Sequence, residues 1–270
     1  MLLLYKTKAF IKRDFIILIS YKMALFTTTL GAVFPLLSYF FIAKLMPTSA
    51  VKSIAIYGGN YFSFTLIGIA FTTYFTMAVQ EFSALMRRDQ MAGCLEALLS
   101  SQTDTKSIIF MSAIFKFIHN GTVLIIMFLI AYLFLDFDIS KINIASTMLT
   151  IFLSFITFVS LGIFSAAGTI LFKQGEPFGF IFGTLSSLLG GAVFPIALLP
   201  FGLKMFSFII PITYALDALR LSILQGYSIS MLYQQLIILA VMSIILLPLS
   251  LKFFEWAVEK GKRNGTLMQY

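Results

Sequence analysis

Residues 145–171 read ASTMLTIFLSFITFVSLGIFSAAGTIL, an unbroken run of apolar and small residues with no charged side chain. A bilayer hydrocarbon core of roughly 30 Å is crossed by about 20 residues of α-helix, and this run exceeds that length. Lipid offers no partner to a stray peptide group, so a segment of this kind crosses as a helix, whose backbone bonds are internal. Five further segments have the same character: 23–43, 61–80, 117–135, 178–199 and 232–252. The fold expected is therefore an all-α polytopic membrane protein with six transmembrane helices, several extending into the interfaces.

Composition agrees. Of 270 residues, 60% are hydrophobic and 11% charged, with a mean hydropathy of +0.99. Soluble domains carry about a quarter charged residues, so this chain lacks the polar surface to cover a globule. Its apolar excess, including 31 Phe and 13 Met, must face lipid or other helices. One domain spanning 1–270 is expected, with 1–21 an interfacial helix, 22–256 the six-helix bundle and 257–270 a cytoplasmic tail.

An even number of spans puts both termini on one side. With the N-terminus inside, thirteen Lys and Arg fall on cytoplasmic segments against five outside (Lys44, Lys52, Lys141, Lys204 and Arg220), with Lys116 assigned to neither. Positive charge collects inside, so both termini are expected in the cytoplasm of a multi-pass plasma-membrane protein, in a prokaryotic cell its inner membrane. The net charge of +8 is explained by this bias, without nucleic acid. The apolar stretch behind Lys6, Lys8, Lys12 and Arg13 is too long for a signal peptide and shows no small-residue cleavage pattern, so it reads as a retained anchor.

Three stretches break the serpentine. Residues 3–19 mix Lys6, Lys8, Lys12, Arg13 and Asp14 with Phe10, Ile11, Phe15, Ile16 and Leu18, which suits an amphipathic helix lying in the interface. Residues 87–105 form a polar break, inside which Gly93-Cys94-Leu95-Glu96-Ala97-Leu98-Leu99 reads as a short helix after a glycine turn. Leu95, Leu98 and Leu99 share one face, suited either to lipid or to a groove in a soluble partner. Residues 195–226 are too apolar for an ordinary loop, yet Pro195, Pro200 and Pro211 divide them into pieces too short to cross. A pair of re-entrant helices that dips in and returns, broken at Pro211, fits this pattern.

Catalytic chemistry is missing. There is no phosphate-binding Gly-rich loop, since Gly261-Lys262 lacks both the earlier glycine and the following hydroxyl, and no metalloprotease helix or nucleophile elbow. The single Cys94 and single His119 leave no metal cluster or catalytic triad. No cofactor or metal site is expected on the chain, and it is not read as an enzyme. His119-Asn120, one turn inside the third span, suits an interhelical hydrogen bond. Asp217 and Arg220, three apart on one face, are placed to pair. Gly58-Gly59, Gly162 with Ala166, and Gly190-Gly191 allow close helix contacts. Gly191, Val193, Phe194 and Pro195 fit either a constriction or plain packing.

In order along the chain, these features resemble the ABC-2 type permease family, the membrane subunits of ABC exporters. Lys12-Arg13-Asp14 followed by Ser20-Tyr21-Lys22 resembles the family's approach to its first span. Residues 93–99 resemble its Gly-x-Leu-Glu-x-Leu-Leu loop. Gly191-Ala192-Val193-Phe194-Pro195-Ile196 with Leu199-Pro200 resembles the end of its fifth span. Pro211-Ile212-Thr213-Tyr214 through Asp217 to Ala218-Leu219-Arg220 resembles its Pro-x-Thr-Tyr-x-x-x-Ala-Leu-Arg external element.

The resemblance implies two permease subunits, identical or different, in a dimer. It also implies two copies of an ABC ATPase subunit, which would bind the ATP and magnesium. Residues 93–99 would be the coupling helix on that ATPase, with Leu95, Leu98 and Leu99 as apolar contacts and Glu96 in an ion pair. The interfacial helix would be a second contact. Val193 and Phe194 would stand where related G-type transporters place an external hydrophobic valve. The cargo implied is hydrophobic or amphipathic, drug-like or lipid, moved outward. A lipid-linked polysaccharide is the alternative, disfavoured because Phe rather than Tyr or Trp dominates the aromatics. An ATPase-independent secondary transporter would need mid-membrane acids or broken spans, and a plain membrane anchor would need no coupling helix.

Overall fold

A computed structural model describes residue 16 and residues 22–45, 52–91, 105–172 and 177–263. Its elements are helical, with no strand among the described residues. In chain order they are α1 (Lys22–Leu45), a 3-10 turn (Lys52–Tyr57), α2 (Tyr61–Met91), α3 (Thr105–Phe134), α4 (Ile144–Phe172), α5 (Pro177–Leu189), a second 3-10 turn (Ile196–Leu198), α6 (Phe201–Ser207), α7 (Pro211–Leu224) and α8 (Tyr233–Arg263).

Helix α4, which contains the run quoted first, is the centre of the bundle and packs chiefly on α8, α2 and α7. Phe158 on α4 is fully buried and meets the Phe75 ring of α2 edge-on at 4.5 Å. Gly162 lets the two helices close: a Cβ there would lie 2.4 Å from Cδ2 of Phe82. Hydroxyls join the same faces, Ser83 to Ser165 at 2.6 Å and Thr157 to Ser243 of α8 at 2.8 Å. Polar bonds of this kind bind helices that have no hydrophobic drive to associate in lipid. Asn120 is buried on α3, but its Nδ2 has no partner, so the interhelical bond expected there is not made by that nitrogen.

Among the described residues, length and apolarity qualify three helices to cross a bilayer, 61–88 within α2, α4 and α8, or four if the bent pair α6–α7 counts as one span. Their surroundings differ. The apolar window of α2 is 83% buried and that of α8 only 22%, so α2 belongs to the core while α8 turns Ile237, Ile244 and Ile245 outward. Exposed apolar surface on this scale belongs against lipid. Shorter apolar stretches occupy 33–45 of α1 and 120–134 of α3.

The fifth expected span is corrected. A helix was expected over 178–199, but α5 ends at Leu189, about 20 Å long and short of a full crossing by itself. Gly191 stops it by turning the backbone to φ +76°, a region that L side chains avoid. Gly58-Gly59 is also corrected: with φ +93° and +74°, the pair turns the chain into α2 and is not a helix-packing pair.

The break at Pro211 is present. Helices α6 and α7 meet at 83°, with Pro211 in the first turn of α7, where its missing N–H costs nothing. The last carbonyls of α6 would be orphaned at such a corner. They are met from α7: Thr213 Oγ1 donates to the Ser207 carbonyl at 2.7 Å and Tyr214 Oη to that of Phe208 at 2.8 Å.

Replacing Gly162 with Val should drive methyl groups into the Phe82 ring and cost about 1–3 kcal/mol by overpacking. A lower thermal midpoint in detergent, followed by size-exclusion chromatography, reads this loss. Gly31→Ala, where a Cβ meets open space, should leave the midpoint where it is.

Candidate functional site

Helix α7 supplies the polar centre of the molecule, because its two charged residues point to different neighbours. Arg220 is 3% exposed. Its Nε donates to the carbonyl of Phe64 on α2 at 3.2 Å, and Nη2 to the carbonyl of Ala192 at 2.8 Å. The guanidinium lies 3.4 Å from the centre of the Phe64 ring and 5.8 Å from that of Tyr57, a cation held against aromatic faces. One side chain thus fixes α7, the start of α2 and the loop after α5.

Asp217, one turn earlier, accepts from Tyr57 Oη through one oxygen and from Gln235 Nε2 through the other at 2.7 Å. Burial first, and then the adjacent Asp217 carboxylate, push the Tyr57 hydroxyl above its ordinary pKa, so it remains a protonated donor. Asp217 therefore joins α7 to the 3-10 turn before α2 and to α8. The direct Asp217–Arg220 pair expected from spacing is not formed. The carbonyls of Phe64 and Ala192 claim the guanidinium, and a tyrosine and a glutamine claim the carboxylate. Charge-assisted bonds of both kinds are stronger than neutral ones.

The loop 190–195 fits against this centre because two glycines leave room for it. A Cβ on Gly68 of α2 would lie 1.8 Å from the Ala192 oxygen and 2.5 Å from Arg220 Nη2. A Cβ on Gly190 would lie 2.5 Å from Cγ2 of Ile212. Of the proposed gate residues, Gly191 and Pro195 are buried while Val193 and Phe194 are half-buried, and Val193 packs on the main core. The far end of α7 is tied to α4, with the Asn143 N–H donating to the Ser222 carbonyl at 2.9 Å and Thr147 Oγ1 to Ser222 Oγ at 3.0 Å.

The structure thus gathers Pro211, Tyr214, Asp217, Arg220 and the 191–195 loop at one end of the bundle. Gly93, Leu95, Glu96, Leu98 and Leu99 lie outside the described residues, as do Lys12, Arg13 and Asp14. Sequence reasoning missed Tyr57, Phe64, Gly68 and Gln235. Of these, only Gly68 left a signal, a lone glycine among bulky residues in a span.

Apolar helices of crossing length around a satisfied polar centre define an α-helical membrane protein. The family model described as ABC-2 type transporter matches residues 5–224, most of the chain. The protein belongs to the ABC-2 type transporter family, whose chains are membrane transport components. Comparison with curated proteins gives no match.

Arg220→Met should free the loop. With Cys94→Ser as background, a reporter cysteine at position 193 should react with maleimide several-fold faster in Arg220→Met than in its Arg220 parent. Arg220→Lys should fall between them, because an ammonium cannot span both carbonyls as the planar fork does. Equal rates would mean the arginine does not hold the loop.

Proposed function

We propose that this chain is the membrane subunit of an ATP-driven exporter, moving a hydrophobic or amphipathic molecule out of the cytoplasm or inner leaflet. Family membership carries this reading, and the arginine-held loop at the end of α5 supports it. Two such subunits face each other, each with a separate ATPase on the cytoplasmic side. Six crossings, the fifth completed by the apolar residues that follow α5, keep both termini in the cytoplasm of a plasma-membrane protein. Residues 93–99 seat on the ATPase through Leu95, Leu98 and Leu99, with Glu96 in an ion pair, and the segment with Lys12, Arg13 and Asp14 makes a second contact. Closure of the ATPases around nucleotide pulls on these elements and switches the dimer axis between inward and outward access. Val193 and Phe194 form the apolar constriction, and α6 and α7 support it from outside.

A tagged chain drawn from its native membrane in mild detergent should bring with it a protein that hydrolyses ATP. Glu96→Lys should insert normally but lose that partner or uncouple its hydrolysis from transport. A chain that purifies alone, or Glu96→Lys with full transport, would overturn the reading. Val193→Gln should change export while the ATPase stays bound; unchanged export would remove Val193 from the gate.

A further inference from the structure

A polar pocket of about 160 Å³ opens where three segments meet. The start of α2 contributes Asn60 and Ser63, the loop between α3 and α4 contributes Asp138 and Lys141, and the end of α7 contributes Gln225, with Tyr57 beside them. Two glycines of positive φ let the segments close. A Cβ on Gly58 would lie 2.7 Å from Gln225 Nε2, and one on Gly226 would lie 2.7 Å from the Lys141 carbonyl oxygen. The volume is well below the roughly 300 Å³ at which drug-sized pockets begin, so it suits a solute of a few carbon atoms.

The polar groups around this space are unspent. Ser63 is 5% exposed, and its N–H donates to Asn60 Oδ1 at 3.2 Å. Its hydroxyl lines the pocket without a partner among the described residues, which is costly for a group so nearly buried. The Asn60 amide nitrogen, the Gln225 amide and the Lys141 ammonium likewise bond to no described residue.

Charges of both signs face the same space. Asp138 accepts from the Ser140 N–H at 2.8 Å. That backbone bond, and then a side-chain bond from Ser140, hold its carboxyl below the usual carboxylate range, so it is ionised at neutral pH. Lys141 adds a smaller push the same way, yet the two form no ion pair among the described residues. The helix ends repeat the arrangement. The first N–H groups of α2 put partial positive charge near Ser63, and the last carbonyls of α7 put partial negative charge near Gln225. Behind Tyr57 stand Asp217 and Arg220, also opposite in sign and already bonded. An anion alone would meet Asp138, and a cation alone would meet Lys141.

We propose that this pocket binds a small zwitterion, its oxyanion end on Lys141, Ser63 and Asn60 and its ammonium on Asp138. The occupant ties the loop between α3 and α4 to the start of α2, beside the Tyr57 hydroxyl that holds Asp217. A free amino acid and a phosphoethanolamine headgroup share this chemistry. The site needs neither nucleotide nor an ATPase, so its failure would leave the transport reading untouched.

The test is saturation-transfer NMR on the full chain in uncharged maltoside micelles. Glycine, β-alanine and 4-aminobutyrate are the probes, in order of increasing charge separation, and propionate and propylamine carry one charged end each. At least one zwitterion should half-saturate at a several-fold lower concentration than either single-charge probe. Asp138→Asn and Lys141→Gln, both at exposed positions, should each raise that concentration several-fold, and Ser63→Ala should shift it in the same direction. Nanodiscs then separate the sources. Loss of the probe signal when phosphatidylglycerol is exchanged for phosphatidylethanolamine assigns the pocket to the headgroup, and retention assigns it to a free solute; both keep the zwitterion. No zwitterion ahead of the single-charge probes, or variants without effect, would overturn the proposal. So would tighter binding in Asp138→Asn, because the pocket would then be an anion site.

Discussion

A peptide carbonyl that leaves a helix inside a membrane protein must still find a donor, and at Ala192 that donor is Arg220. The loop after α5 is non-helical and buried against α2, so without the guanidinium its backbone would carry an unpaired polar group at a cost of several kcal/mol. The same cation would be costly if buried alone. It is made tolerable by a second carbonyl at Phe64, by the Phe64 ring beneath it, and by Asp217 acting at one remove through Tyr57. Each group in this set is satisfied only while the others stay in place. The loop, the start of α2 and helix α7 therefore hold their positions together.

How much of this is legible in the sequence follows from which features are local. Hydrophobic length is local, and residues 145–171 lie wholly inside α4. Proline geometry is local too, so Pro211 marks a real corner. The end of α5 is less visible: residues 190–199 stay apolar, and hydropathy does not separate a helix from an apolar loop held by tertiary bonds. Only Gly191 at positive φ betrays the stop. Asp217 and Arg220 show the limit most sharply. Spacing of three residues does place them on neighbouring turns. Their chosen partners come from Tyr57, Phe64, Ala192 and Gln235 on other elements, and helical periodicity carries no information about those. Of the site residues named from sequence, those before position 105 lie outside the described residues.

The bundle interior handles polarity differently from this centre. Buried hydroxyls along α4 bond mainly to carbonyls of their own helix: Thr150 to Ser146, Thr157 to Leu153, Ser160 to Ile156 and Thr169 to Ser165. Such back-bonding satisfies the hydroxyl without committing it to a neighbour. Fewer cross-links join the helices, among them Ser83 with Ser165 and Thr157 with Ser243. The end around Arg220 cannot shift without stripping a buried cation of its partners. Charge-assisted bonds between elements thus gather beside the loop 190–195.

Helix α2 connects that end to the opposite one. Its 31 residues make a rod of about 46 Å, longer than the bilayer core, with Phe64 near its first turn and Met91 at its last. The segment 93–99 begins two residues beyond. On the proposed function, a push on Glu96 reaches α2 directly through the chain, and a rigid helix buried over most of its length does not absorb it by bending. The displacement appears at Phe64, whose carbonyl and ring grip Arg220, and Arg220 also grips Ala192, next to Val193. Gly68 sits between these contacts, its missing side chain bringing the Ala192 carbonyl against the rod itself. If the proposed function holds, a stroke that enters beyond Met91 would pass along α2 to the loop beside Val193, and the part joining rod to loop would be Arg220.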